Sequence, residues 1–326
     1  MLRPVVPTTP FTEQHTFILA TGITLVLALA SVIGLGLKIT VAKWQPHGAI
    51  DNLNTRVNAW WAMAIIVGLA LVAGRTGVTL LFAFASFVAL REFVAPARGR
   101  DGDRALLLIS LCVVLPLQYL VVARGALYFY TLLIPLFALL AVPVIARMGS
   151  EPRERRELRE RTATVQWGLV LCVWCISHVP ALLTLEIPGY EGRNAFLLVF
   201  FILVVQSSDV LQYLWGKLAG RRQIAPSLSP SKTVEGMVGG VLSATALGAL
   251  LAPITPFSLS EAAILSLAIT LLGFAGGLVM SAWKRRRGIK DWGTMIRGHG
   301  GMLDRLDSIC LSAPVFLHIV RIGWGG

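Results

Sequence analysis

Residues 16–37 read TFILATGITLVLALASVIGLGL, an unbroken run without a charged side chain. As a helix rising about 1.5 Å per residue it reaches across the roughly 30 Å hydrocarbon core of a bilayer. It exceeds the h-region of a cleavable signal, about 7–15 residues, so it is expected to persist as a helix.

Working outward, comparable apolar runs recur at 58–74, 76–90, 105–123, 125–146, 165–186, 194–215, 234–253, 261–283 and 306–324, separated by charge clusters. The chain has 326 residues, 56% hydrophobic and 14% charged, with a mean hydropathy of +0.73. Soluble domains carry about 25% charged residues, and a buried core alone cannot absorb this much apolar surface. The expected fold class is therefore all-α: a polytopic membrane protein of about ten transmembrane helices. Nine spans remain the alternative if a short segment fails to cross, and 76–90 is the shortest.

The net charge of +12 would suggest nucleic acid on a soluble protein. Here it follows the excess of Lys and Arg in cytoplasmic loops, and no nucleic-acid partner is expected. Loops after the first, third, fifth, seventh and ninth runs hold twenty-four Lys and Arg, against Arg75, Arg124 and Arg193 in the others. This puts the odd loops in the cytoplasm. The Arg/Glu-rich stretch 147–164 reads as a solvated helical linker. It divides an N-terminal helical region (1–160) from a C-terminal one (161–326). The four cysteines lie in apolar runs and read as packing residues, even with the CxxC spacing of Cys172 and Cys175. His178 reads as a hydrogen-bonded core histidine, and Arg91–Glu92 as a local ion pair.

Chemistry concentrates in two cytoplasmic loops of the C-terminal region. Residues 281–308 carry Lys284, Arg285, Lys290, Asp291, His299, Asp304, Arg305 and Asp307, with Gly298, Gly300 and Gly301 around the imidazole. Asp304 and Asp307, three apart, share one face of a helix start. Such a pair suits Mg²⁺, which takes oxygen ligands and keeps phosphates and waters as the rest, and Asp291 can complete it. The same acids also suit a helix N-terminus without any metal, and Lys284 to Arg287 suit a stop-transfer cluster. Upstream, Asp209 sits in an apolar run, where a carboxylate is expensive and points to function; Gln206, Gln212 and Tyr213 share its face. Thr233 and Glu235 begin the next helix as caps, or Lys232 holds a phosphate at that positive helix end.

These residues resemble the signature of phosphatidate cytidylyltransferases (CDP-diacylglycerol synthases). Ser281, Lys284, Arg285, Lys290, Asp291, Gly298, His299, Gly300, Gly301, Asp304, Arg305 and Asp307 match its spacing. Asp209, Tyr213, Gly216, Ser229, Pro230, Lys232, Thr233, Glu235 and Gly236 match its upstream patterns. Arg297, Ser231, Val234 and Gln212 depart from the usual residues, and the N-terminal region matches only as membrane helix. The resemblance implies transfer of CMP from CTP to phosphatidate, giving CDP-diacylglycerol and pyrophosphate. It implies metal held by Asp291, Asp304 and Asp307 with Asp209: Mg²⁺, with a second cation allowed. Lys232, Lys290 and Arg305 would grip the triphosphate that His299 positions. Thr233, Glu235, Lys284, Arg285, Gly300, Gly301 and Tyr213 would complete the substrate site. It implies a multi-pass protein of a bacterial inner membrane, its site facing the cytoplasm among membrane lipids, and is compatible with a homodimer. The alternatives are CTP-dependent transfer to another lipid phosphate and a non-enzymatic transporter; the latter predicts paired interrupted helices, and 1–160 contains no repeat of these motifs.

Overall fold

The computed structural model describes residues 10–95, 106–148, 155–295 and 300–325. Apolar runs bounded by charge become ten helices. They are α1 (Pro10–Thr40), α2 (Gly48–Val72), α3 (Gly74–Val94), α4 (Leu106–Arg124), α5 (127–148), α6 (155–184), α7 (Asn194–Ala219), α8 (Val234–Leu250), α9 (Leu259–Arg286) and α10 (Leu303–Trp324). Among the described residues nine are long and apolar enough to cross a membrane; α8, with 17 residues, falls short by length alone. The protein is a multi-pass membrane protein.

The short element is thus α8, not the 76–90 segment, which lies inside the 21-residue α3. Connectivity runs α8 antiparallel to α7 and α9. Its start lies beside the end of α7, where Val234 N donates to Arg222 O at 2.8 Å. Its end leads through 251–258 into the capped start of α9, and α9 then returns to the side where α8 began. The ends of α3, α7 and α9 and the starts of α6, α8 and α10 gather on that one face. On the opposite face, Arg75 donates to Val122 O at 3.2 Å, and the guanidinium of Arg321 lies over the Tyr128 ring at 4.9 Å.

Local sequence explains several departures from regular helix. A proline at position i lacks an N–H and crowds the carbonyl four residues back, so the turn before it widens. Ser110–Val114, just before Pro116, and Phe137–Ala141, just before Pro143, are both π-helical. Ser258 and Glu261 form a reciprocal capping box at the start of α9, which satisfies two helix-terminal donors.

The core lies between α3, α4, α6, α7, α9 and α10. Phe200, Phe201 and Phe316 stack at its centre, with Phe201 and Phe316 5.3 Å apart and nearly parallel. His178 is fully buried there, its Nδ1 2.7 Å from Trp174 O, as expected of a core histidine. Cys172, Cys175 and Cys310 are buried and unbridged. By contrast α1 and α2 bury little, and Phe17, Leu25, Val26 and Leu29 are exposed, as suits helices facing acyl chains.

Candidate active site at one membrane edge

The site begins with a hairpin that the sequence reading took as plain loop. Strands β1 (Gln223–Ala225) and β2 (Ser229–Thr233) pair antiparallel, Gln223 opposite Thr233 and Ala225 opposite Ser229. Thr233 then caps α8: its hydroxyl accepts from Gly236 N at 3.1 Å. The Glu235 carboxylate accepts from Arg221 N and Arg222 N, at 2.9 and 3.1 Å. Both residues therefore act as caps and ties, the structural role that the sequence left open for them. They aim Lys232 inward.

Lys232 Nζ lies 4.5 Å from the Phe274 ring centroid and against Gly277. A Cβ on that glycine would stand 2.7 Å from the ammonium and 3.8 Å from Asp307 Oδ2, so the missing side chain lets cation and carboxylate share the space. One residue back, Gly276 lets α9 approach the backbone of Asp307, whose carbonyl oxygen an added Cβ would meet at 2.5 Å. Asp307 and Asp209 interact electrostatically, with Lys232 and Arg305 as their common cationic neighbours. Helix α10 is further fixed to α7 where Gln206 donates to Arg305 O at 3.3 Å. Burial removes solvation from the Lys232 ammonium and pulls its pKa below the lysine range, against the opposing pull of Asp307 and Asp209.

Asp304 has a different position from Asp307. It is buried; Oδ1 is 2.8 Å from Lys284 Nζ, and Oδ2 accepts from Trp292 N and Gly301 N, both at 2.9 Å. Gly300 has φ +86°, and a Cβ there would meet Asp304 Oδ2 at 2.6 Å and Asp291 Cβ at 3.4 Å. Asp304 thus binds the connecting segment to α9. Asp291 and Lys290 are exposed at its rim. Arg285 donates to Leu228 O at 3.0 Å and so ties α9 to the hairpin. Tyr213 is exposed, with the Arg56 guanidinium 5.2 Å and the Lys217 ammonium 5.9 Å from its ring centroid. His299, with Arg297 and Gly298, lies outside the described residues.

Sequence reasoning missed the part played by the N-terminal region. Arg287, counted only as one basic residue of a cluster, lies over the rings of Phe93, Trp283 and Trp292 at 4.5, 5.2 and 5.4 Å. It donates to Phe93 O and to Thr164 Oγ1. Phe93 also packs on Trp292 at 4.9 Å.

Among the described residues no three His, Cys, Asp or Glu side chains converge as a ready-made metal cage. The donor set instead offers Asp209 and Asp307, oxygen ligands of mutually repelling charge beside Lys232 and Arg305. That set suits Mg²⁺ when substrate phosphates and water supply the remaining ligands. Asp304, with both oxygens engaged, is less suited to ligation than its neighbour one turn on.

Fold and site together define a multi-pass membrane protein in which paired acids and convergent cations meet where α7, β2, α9 and α10 converge. The chain matches the cytidylyltransferase family over residues 54–323 and belongs to that family. It is 34% identical over 286 residues to the uncharacterized protein YnbB of Escherichia coli (strain K12), covering 85% of this chain and 91% of that one. It is 36% identical over 145 residues to the phosphatidate cytidylyltransferase of Aquifex aeolicus (strain VF5), covering 44% of this chain and 54% of the relative. The corresponding Staphylococcus saprophyticus enzyme is 36% identical over 137 residues, covering 41% and 52%. The chain thus spans about half the length of the phosphatidate cytidylyltransferases it matches.

Proposed function

We propose that the protein transfers CMP from CTP to phosphatidate, forming CDP-diacylglycerol and releasing pyrophosphate. An oxygen of the lipid phosphate attacks the α-phosphorus of CTP; that bond forms as the bond to the bridging oxygen of the β-phosphate breaks, and pyrophosphate carries the charge away. Both reactants are polyanions, so charge neutralisation and alignment are most of the work. The observation that carries this reading is the meeting of Asp209 and Asp307 with Lys232 and Arg305 where α7, β2, α9 and α10 converge at the membrane edge.

Lys232 and Arg305 offset phosphate charge and hold the triphosphate in line, with the exposed Lys290 at the entrance. Asp209 and Asp307 would hold Mg²⁺, with Asp291 at the rim and Asp304 behind; the bound ion would supply Lewis-acid stabilisation of phosphate charge. Asp304 and Lys284 keep the segment before α10 in place, and His299 would act on the triphosphate from that segment. The basic loops support a cytoplasmic active face in a bacterial inner membrane. In this reading 161–326 is the catalytic region, α1 and α2 face lipid, and the end of α3 packs against the catalytic region; a homodimer is compatible with it.

One observation favours a second acceptor, a different lipid phosphate. The longest similarity described above is to YnbB, whereas the phosphatidate enzymes match over about half their length. The test is purified protein with CTP, Mg²⁺ and either phosphatidate or a panel of other lipid phosphates, scored for pyrophosphate and CDP-lipid. Product from phosphatidate is expected. Product from another lipid phosphate alone would replace the acceptor, and product from none would overturn the assignment.

A further inference from the structure

Glu92, in the last turn of α3, belongs to the region that the sequence reading treats as scaffold, and was expected to pair locally with Arg91. Instead Arg91 is exposed and Glu92 is buried. Its carboxylate accepts from Met302 N at 3.1 Å and Leu303 N at 2.9 Å, across more than 200 residues of sequence. Those are the first donors of α10, which no side chain of its own N-cap satisfies. A carboxylate there satisfies donors that would otherwise be orphaned and complements the positive helix end. The glycines around it are shaped to admit it: a Cβ on Gly301 would lie 2.4 Å from Glu92 Oε2, and one on Gly293 2.7 Å from Oε1.

We propose that Glu92 is a positioning residue for cytidylyl transfer, fixing the start of α10 so that Arg305 and Asp307, in its first turns, point into the site. Glu92 touches no reacting atom. Asp304 holds the preceding segment from the α9 side, and Glu92 holds the adjoining amides from the α3 side. Losing either grip lets α10 begin in a different frame, re-aiming the residues one turn on. Misplacement by about 1 Å can lower turnover on the order of 100-fold.

The proposal rests on the transferase reading for its kinetic half only. Amide hydrogen exchange in the wild type and Glu92→Gln tests the anchor directly. Faster exchange at Met302 and Leu303 is expected, with the remaining helices as protected as before. In the same preparation kcat should fall on the order of 100-fold while KM for CTP stays within about twofold. Gly301→Ala should reproduce the loss by displacing the carboxylate. The double variant Glu92→Ala/Gly301→Ala should be no worse than Glu92→Ala, because coupled residues are not additive. Unchanged exchange or turnover in Glu92→Gln, or additive losses in the double variant, would overturn the role. A wild type that makes no CDP-lipid would sink the transferase reading and leave the exchange result to decide the anchor.

Discussion

Lys284 and Asp304 form an ion pair of 2.8 Å between the end of α9 and the start of α10, with both side chains nearly enclosed. The other Asp304 oxygen holds the backbone at Trp292 and Gly301. A single carboxylate thus joins two helices and the segment between them. Its removal should be felt as a structural loss as well as a catalytic one.

Asp304→Asn keeps the shape and removes the charge. It removes the carboxylate bonded to the nearly enclosed Lys284 ammonium, a loss that costs about 3–5 kcal/mol when such a pair is fully buried, and turns an amide NH₂ toward donors. Thermal unfolding in detergent should show a clear drop, with CDP-lipid formation lost. Replacing both partners, as Lys284→Met/Asp304→Asn, should recover part of the stability and none of the activity. An Asp304→Asn protein as stable as the wild type contradicts the tethering role.

Asp307→Asn should behave in the opposite way toward stability. Burial disfavours the Asp307 charge more than any one of Lys284, Lys232 and Arg305 favours it, and Asp307 and Asp209 repel one another. Neutralising Asp307 relieves the burial and the repulsion at the expense of those attractions. The variant should unfold at the same temperature as the wild type or higher, while turnover falls on the order of 100-fold or more, as when a group facing transition-state charge is removed. Wild-type turnover would exclude Asp307 from the reacting centre.

The spans were legible because lipid selects them by a property each segment carries by itself: length of uncharged sequence. Even so α8 was visible only as one apolar run among ten, and its shortness emerged at its far end, where the helix stops at Leu250 and Ala252–Ile254 turn toward α9. That hairpin was not legible, since Ser229, Pro230 and Ser231 offer neither alternation nor β-branched residues. Asp209 and Asp307 could be nominated because charge at or beside membrane depth is costly without a use, and Lys232 because it precedes a helix start that suits phosphate. Their partners could not, since Gly277 and Phe274 have no charge to betray them. Glu92 gave the same signal as Asp209, a carboxylate ending an apolar helix, but an adjacent Arg91 supplied a sufficient local explanation. Only the fold reveals a partner two hundred residues away.

Close packing of α8 on α7 is set by glycine. A Cβ on Gly240 would lie 2.4 Å from Gln212 Cγ and 2.5 Å from Gln212 N, and neither helix backbone can yield without shifting the hairpin. Gly240→Ala should destabilise the protein by about 1–3 kcal/mol, the usual cost of overpacking, and lower activity through Lys232. Gly22→Ala in α1, where nothing lies within 4 Å, serves as a control, and alanine is the better helix former there. Thermal unfolding of both variants decides the matter: equal shifts would show that α7 and α8 do not meet as closely as Gly240 implies.

In the proposed reaction Lys232 should set the alkaline limit. Its ammonium loses solvation on burial, and the pull of Asp307 and Asp209 offsets this only in part, so its pKa lies below the ordinary lysine value, about 10.4. The charged form is the one that offsets phosphate charge. Activity should therefore be full at neutral pH and fall as pH rises through that lowered value. Arginine keeps its charge beyond pH 12, so Lys232→Arg should move the descending limb upward, even if its longer side chain lowers the maximum. Both profiles are measured as kcat/KM for CTP against pH under saturating lipid. Coincident alkaline limbs in the two proteins would assign that limit to another group, leaving Lys232 without contact to the triphosphate.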